Sequence, residues 1–337
     1  MLKIDNTPNN LGISIHGDYH DLNELRDAIF RYLDFYYENH AAELKKLLED
    51  GTLEQRAYDS YLSEDYNRHE FLLALCYDIR HAYQGDRDVE FVENNAESIG
   101  VSMECIYEIP TETRREFNNQ RKKGASGNLY FSVPVLYPLM EFYVRQLTDI
   151  LDYYYGPSSF ESLSFEYDEL QAEHDQALIQ LMISLYNKSL GDYLGNGAAR
   201  NIARCFDITE YPISSEIFAE AMSHCYVTKS ARFPRNEELK KALLTAICYN
   251  MISSDELYDD EVESPRIAAI IKNGLADYTA ALETIRNITG EEFANYDNFS
   301  ARLHDYVASH GGVLYENVFD DFLDEEYGPY DWDNMEW

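Results

Sequence analysis

Positive charge is scarce in this sequence. Its 27 lysines and arginines face 62 aspartates and glutamates, a net charge of −35. A surface so negative repels phosphate backbones and anionic headgroups, so direct contact with nucleic acid or a membrane is not expected. Long apolar runs are missing as well. No stretch reaches the roughly 18 apolar residues of a membrane-spanning helix, and Met1-Leu-Lys-Ile-Asp-Asn lacks a basic segment leading into an apolar one. A cytoplasmic location is the expectation. The cysteines, Cys76, Cys105, Cys205, Cys225 and Cys248, are odd in number and contain no Cys-x-x-Cys pair, which suits reduced thiols better than a disulfide frame. Cys76 and Cys248 fall in apolar helical stretches and read as small buried hydrophobes.

Catalytic signatures are absent too. The chain has no Walker Gly-x-x-x-x-Gly-Lys loop, no His-Glu-x-x-His, no Gly-x-Ser-x-Gly and no EF-hand loop. Gly195-Asn-Gly197-Ala-Ala-Arg200 follows a helical pattern with two of the three glycines of a dinucleotide turn, and reads as a turn between helices. The acidic run around Tyr258 lacks the glycine and alternating spacing of a calcium loop and reads as solvated. No cofactor is expected.

What the sequence does have is a core. Hydrophobic residues make up 45% of 337 residues and are spread throughout, which excludes a disordered chain. Leu11, Ile13 and Ile15 alternate with polar neighbours as a half-buried strand does, and Pro8-Asn9-Asn10 supplies a turn from a first strand around Leu2 to Ile4. Asp21 and Glu24 form a capping-box pattern before the helical series Leu22, Leu25, Ile29, Leu33 and Tyr36. A second helix is expected over about Asn67 to Tyr83, then strands at Val89 to Val92, Val101 to Ile109 and Leu129 to Val135. The series Leu136, Met140, Tyr143, Leu147, Ile150 and Tyr154 predicts a largely buried helix. From about Phe165 onward the pattern is helical. The expected fold is α+β: a mainly antiparallel sheet with packed helices in residues 1–157, a helical region over residues 158–315 packed on it, and an acidic aromatic tail over residues 316–337.

Three groups of residues could carry chemistry. His16, Asp18 and His20 would share one face if the strand stayed extended, a ligand set for iron or zinc. The alternative, which we favour, is a Gly17-Asp18 turn with both histidines solvated and Asp21 capping the helix. Asp78, Arg80 and His81 offer acid–base or anion-binding groups at helical spacing. The favoured alternative is a helix C-terminus whose basic residues complement the dipole. Finally, Arg114, Arg115, Arg121, Lys122 and Lys123 make a basic loop in an acidic molecule. Opposite in sign is the tail, where Phe319, Phe322, Tyr327, Tyr330, Trp332 and Trp337 are interleaved with carboxylates and no base. Six aromatics make a docking segment rather than a solvating brush.

The stretch Cys76 to Asp88, with Gly17-Asp18-Tyr19-His20-Asp21-Leu22 and Asn128-Leu-Tyr-Phe-Ser-Val-Pro-Val-Leu-Tyr-Pro, resembles an uncharacterised bacterial domain-of-unknown-function family, chiefly of Firmicutes. The resemblance spans about residues 1–205; it implies a bacterial cytosolic origin and no mechanism. The expected role is that of a non-enzymatic acidic interaction module, an immunity or inhibitor protein covering a basic surface of a toxin or nucleic-acid-binding partner. An enzyme acting through Asp78, Arg80 and His81, or a self-assembling structural protein that forms homo-oligomers, are the alternatives.

Overall fold

The computed structural model describes residues 1–93, 127–153, 169–206, 216–252 and 264–330, together with Thr111, Glu112, Arg115, Asn119, Trp332 and Met335. The fold is α+β. Four strands, β1 (Lys3–Asn6), β2 (Gly12–Gly17), β3 (Val89–Glu93) and β4 (Gly127–Leu136), form one antiparallel sheet in the order β1-β2-β4-β3. Val89 pairs with Phe131 and Glu93 with Gly127. Alternation decides the faces: Ile13, Ile15, Phe131 and Val133 are wholly buried while Ser14, His16, Ser132 and Pro134 are half-exposed. The strand expected at Val101 to Ile109 lies outside the described residues.

The chain divides into two compact units that interleave along the sequence. The first comprises residues 1–5, 14–135 and 146–186. Here α1 (Tyr19–Glu49) and α2 (Gln55–His81) form a helical hairpin around Gly51, whose φ of 73° suits a residue without Cβ. The cap of α1 is Asp18, not Asp21. Asp18 accepts from the Asp21 amide at 3.0 Å, and the Asp21 carboxylate accepts from the Asp18 amide at 3.1 Å. The capping box thus stands three residues upstream of the Asp21-Glu24 pattern, because the chain leaves extended geometry immediately after Gly17. Polar contacts join the two helices: His40 pairs with Asp65, and His69 with Asp34 at 3.1 Å. From α4 (Glu169–Leu194), the buried Asp175 carboxylate takes both Nε and Nη2 of Arg31 at 2.7 Å.

The second unit comprises residues 6–13, 136–145 and 187–337. It holds α5 (Asn196–Phe206), α6 (Glu216–Arg232), α7 (Glu237–Asn250), α8 (Pro265–Thr289), α9 (Tyr296–Ser309) and α10 (Glu316–Tyr327); α3 (Tyr137–Tyr153) divides between the units after Arg145. Gly195 links α4 to α5 at φ 97°, the turn between helices expected there. α6 is its centre. Every residue from Phe218 to Ser230 except Glu220 is buried, as in a helix surrounded by others. Tyr226 donates to the Asn10 carbonyl at 2.8 Å and Lys240 to the Asn9 carbonyl at 2.8 Å, so the turn after β1 is held by side chains. In α3, Glu141 and Arg145 form a buried ion pair at 2.7 Å, with the guanidinium 4.1 Å from the Phe206 ring centre.

Candidate functional site

α10 packs on α6 and α9. Phe322 lies edge-on to Phe299 at 5.9 Å and to Tyr306 at 5.3 Å, and Phe218 joins the same cluster 5.4 Å from Phe299. Such pairs add to plain area burial. The adjacent flank of α10 turns Phe319 and Leu323 toward a different space. Between them and Leu136, Leu139 and Ile217 runs an open groove of 560 Å³, with Leu314, Tyr315 and Trp332 at its rim. Glu220 and Asp320 supply carboxylates to its wall.

The rim is unusually apolar for a surface. Leu314 is 36% exposed, Tyr315 63% and Trp332 45%, and Val313, next in sequence to Leu314, 48%. Clustered exposure of this kind marks interaction sites, whereas scattered exposed apolar residues do not. Trp332 is held there edge-on to Tyr330 at 5.1 Å and to His224 at 5.6 Å. His224, buried, is bonded through Nε2 to the Gly328 carbonyl at 2.8 Å, which ties the segment after α10 back to α6. Tyr330 lines a neighbouring cleft of 270 Å³ with Lys240 and Asn9. Of the tail aromatics, therefore, Phe319, Phe322 and Tyr327 are buried, Tyr330 is half-buried and Trp332 is exposed. Trp337 lies outside the described residues, as do Arg114, Arg121, Lys122 and Lys123; Arg115 is exposed.

The histidine and aspartate candidates are not brought into one metal site. β2 ends at Gly17, His16 bonds Ser132 Oγ at 2.8 Å, Asp18 is used as the α1 cap and His20 is exposed on the first helical turn. Burial lowers the His16 pKa. Among the described residues no three His, Cys, Asp or Glu side chains are placed to hold a metal ion. At the end of α2, Asp78 pairs with Arg87 at 3.3 Å across a π-helical turn (Ala82–Asp86), and burial raises its pKa. The His81 ring stacks on Tyr77 at 6.5 Å, and Arg80 lies 5.6 Å from the Tyr77 ring centre. A cleft of 320 Å³ beside them is lined by Arg80 with Tyr77, Phe30 and Arg26, but neither Asp78 nor His81 reaches it. That cleft does not bring the three groups together.

Reading the sequence misses the groove because its walls come from residues 136–139, 217–224 and 314–323, which no local pattern connects. The available signal is the apolar run Val313-Leu-Tyr315 after two glycines, too short for a helix or strand of its own. Cys76, Cys205, Cys225 and Cys248 are free and buried, and burial pushes the Cys76 and Cys225 thiols up to about 12, far from thiolate chemistry.

Residues 2–273 match the model of a family described as Domain of unknown function (DUF6904). The match runs well past residue 205, where the resemblance in sequence motifs ends, and takes in α6 and α7. No curated protein and no solved structure matches the chain.

Proposed function

The chain belongs to that domain-of-unknown-function family, and for it we propose a non-enzymatic role as a protein-binding module of the cytosol whose groove accepts an apolar, positively flanked segment of a partner. One observation carries the reading: an apolar groove with exposed Leu314, Tyr315 and Trp332 at its rim and Glu220 and Asp320 in its wall, on a chain of net charge −35. Apolar walls bind through burial, which is blind to sequence. The carboxylates and the field behind them select, favouring lysine and arginine on either side of the buried anchors and rejecting acidic segments. Leu, Phe or Trp at the spacing of one helix face, framed by bases, is the matching chemistry. Covering such a segment on a toxin or a nucleic-acid-binding protein would inhibit it. No transmembrane helix is required by this role, and no described helix is long and apolar enough to cross a membrane.

Peptide display on the whole protein tests it, with each selected sequence re-measured on a Leu314→Asp variant. Leu314 is partly exposed, so the substitution leaves the fold intact while placing a charge on the rim. Enriched peptides are expected to carry two or three apolar anchors with flanking lysine or arginine, and to lose at least tenfold in affinity on the variant, about 1.4 kcal/mol. Selected peptides with no basic bias, or with equal affinity for both proteins, refute the reading.

A further inference from the structure

In the first unit, α2 buries Leu72, Leu75, Cys76 and Ile79, and its opposite face carries a narrow seam. Tyr66, Glu70, Leu73, Tyr77 and Arg80 follow one another at steps of 4, 3, 4 and 3, the spacing of a contact between helices. All but the half-buried Leu73 are exposed, Tyr66 by 53% and Tyr77 by 57%. Along the α1 side of the seam runs the cleft of 320 Å³, where Phe30, 46% exposed, joins Leu73 and Tyr77. Clustered aromatics this exposed mark a contact surface.

The two charges of the seam are little used within the chain. Arg80 lies 5.6 Å from the Tyr77 ring centre and forms no ion pair among the described residues. Glu70 reaches only His69 among them, at 3.8 Å, and that ring is already engaged by Asp34 at 3.1 Å. Arg26, across the cleft, is by contrast committed to Asp27 and to the Tyr83 hydroxyl. The positions of the seam also obey a symmetry. Residues 70 and 80 stand equally far from residue 75, and so do residues 73 and 77. A second α2 crossing antiparallel, with a two-fold axis at residue 75, would set Glu70 of each copy against Arg80 of the other, and Leu73 against Tyr77.

We propose that the chain pairs with a second copy of itself through this seam, the partner's α2 lying along the cleft and covering Phe30. A purely acidic or purely basic partner would satisfy one end of the seam and be repelled at the other. A surface carrying the same charges in reverse order satisfies both, and the seam turned about the two-fold axis is such a surface. The aromatic centre supplies the burial. Exposed ion pairs are worth little by themselves, and here they fix direction and register. The net charge of −35 on each copy opposes approach at range, but that repulsion is screened beyond about 8 Å at physiological ionic strength.

The test is sedimentation of the full-length protein over a concentration series at physiological ionic strength, where the parent should pass from monomer to dimer. Glu70→Arg and Arg80→Glu, both at exposed positions, should each weaken the dimer at least tenfold by setting like charges opposite one another. Glu70→Arg should do so even though it makes the chain less negative. Mixing the two variants in equal amounts should restore association, because each then faces the charge it lacks. The double variant, Glu70→Arg with Arg80→Glu, keeps the net charge of the parent and should dimerise as the parent does. Leu314→Asp should also pair normally, which keeps this result separate from the fate of the groove. A parent that stays monomeric to millimolar concentration, whether or not a labelled acidic peptide then binds in an Arg80-dependent way, would overturn the proposal. So would a dimer indifferent to both single variants, or losses that neither the mixture nor the double variant recovers.

Discussion

Gln146 is fully buried in α3, and neither its Oε1 nor its Nε2 has a hydrogen-bond partner among the described residues. Burial without compensation leaves about 1–3 kcal/mol unrecovered. Gln146→Met, close in shape and without polar atoms, should therefore raise the unfolding free energy by about 1–3 kcal/mol, seen as a higher urea midpoint at constant slope; a lower midpoint would reveal a bond that the side chain does make. Asp175 behaves in the opposite way. Burial alone would raise its pKa, but the hydrogen bonds from Arg31 and Gln171 overcome this and hold it below the ordinary carboxylate value. A carboxyl depressed in the folded state stabilises fully above the unfolded value near ~3.9, and the contribution is lost as pH falls through the folded value. Asp175→Asn should thus cost about 2–3 kcal/mol at neutral pH, less than a fully buried pair because Arg31 reaches solvent. Parallel melts should show the gap between parent and variant closing below about pH 4; a gap independent of pH would contradict the assignment.

Between elements, the closest fit described is where α8 crosses α5 and α7. A Cβ at Gly274 would stand 2.6 Å from Cys205 Sγ and 3.0 Å from Tyr249 Cε1. Alanine is the better helix former by about 1 kcal/mol, yet overpacking costs about 1–3 kcal/mol, so Gly274→Ala should lower the melting temperature. The loss should shrink in a Cys205→Ala background, where the sulfur is gone; equal losses in both backgrounds would place the strain elsewhere. How far such elements show in sequence depends on what surrounds them. β2 and β4 have one buried face, and the period of two survives in Ile13, Ile15, Phe131 and Val133. α3 and α7 carry apolar positions at helical steps and were legible for the same reason. α6 is buried on all sides, so its sequence shows helix but no face. The far half of α1 and the first half of α2 escape because they are joined by polar pairs, His40 with Asp65 and Asp34 with His69, not by an apolar stripe. In the tail, composition marks six aromatics, but only packing separates Phe322, set against Phe299 and Tyr306, from Phe319 and Leu323, which wall the groove.

For the whole molecule, the net charge of −35 sets the long-range behaviour. Attraction to a basic segment is screened beyond about 8 Å at physiological ionic strength, so association through the groove should slow as salt is added, while dissociation, governed by the buried anchors, changes little. Rapid-mixing kinetics over a salt series would show it. The most direct test uses the position of Trp332. The chain has two tryptophans, so in a Trp337→Phe variant all indole emission comes from Trp332, 45% exposed at the groove rim. Titration with a basic peptide carrying apolar anchors should shift that emission to the blue and protect it from a neutral quencher, saturating at one peptide per chain, whereas an acidic peptide with the same anchors should do neither. Emission and quenching that stay unchanged while the basic peptide binds, or that respond equally to the acidic one, would contradict the assignment of the groove as the binding site.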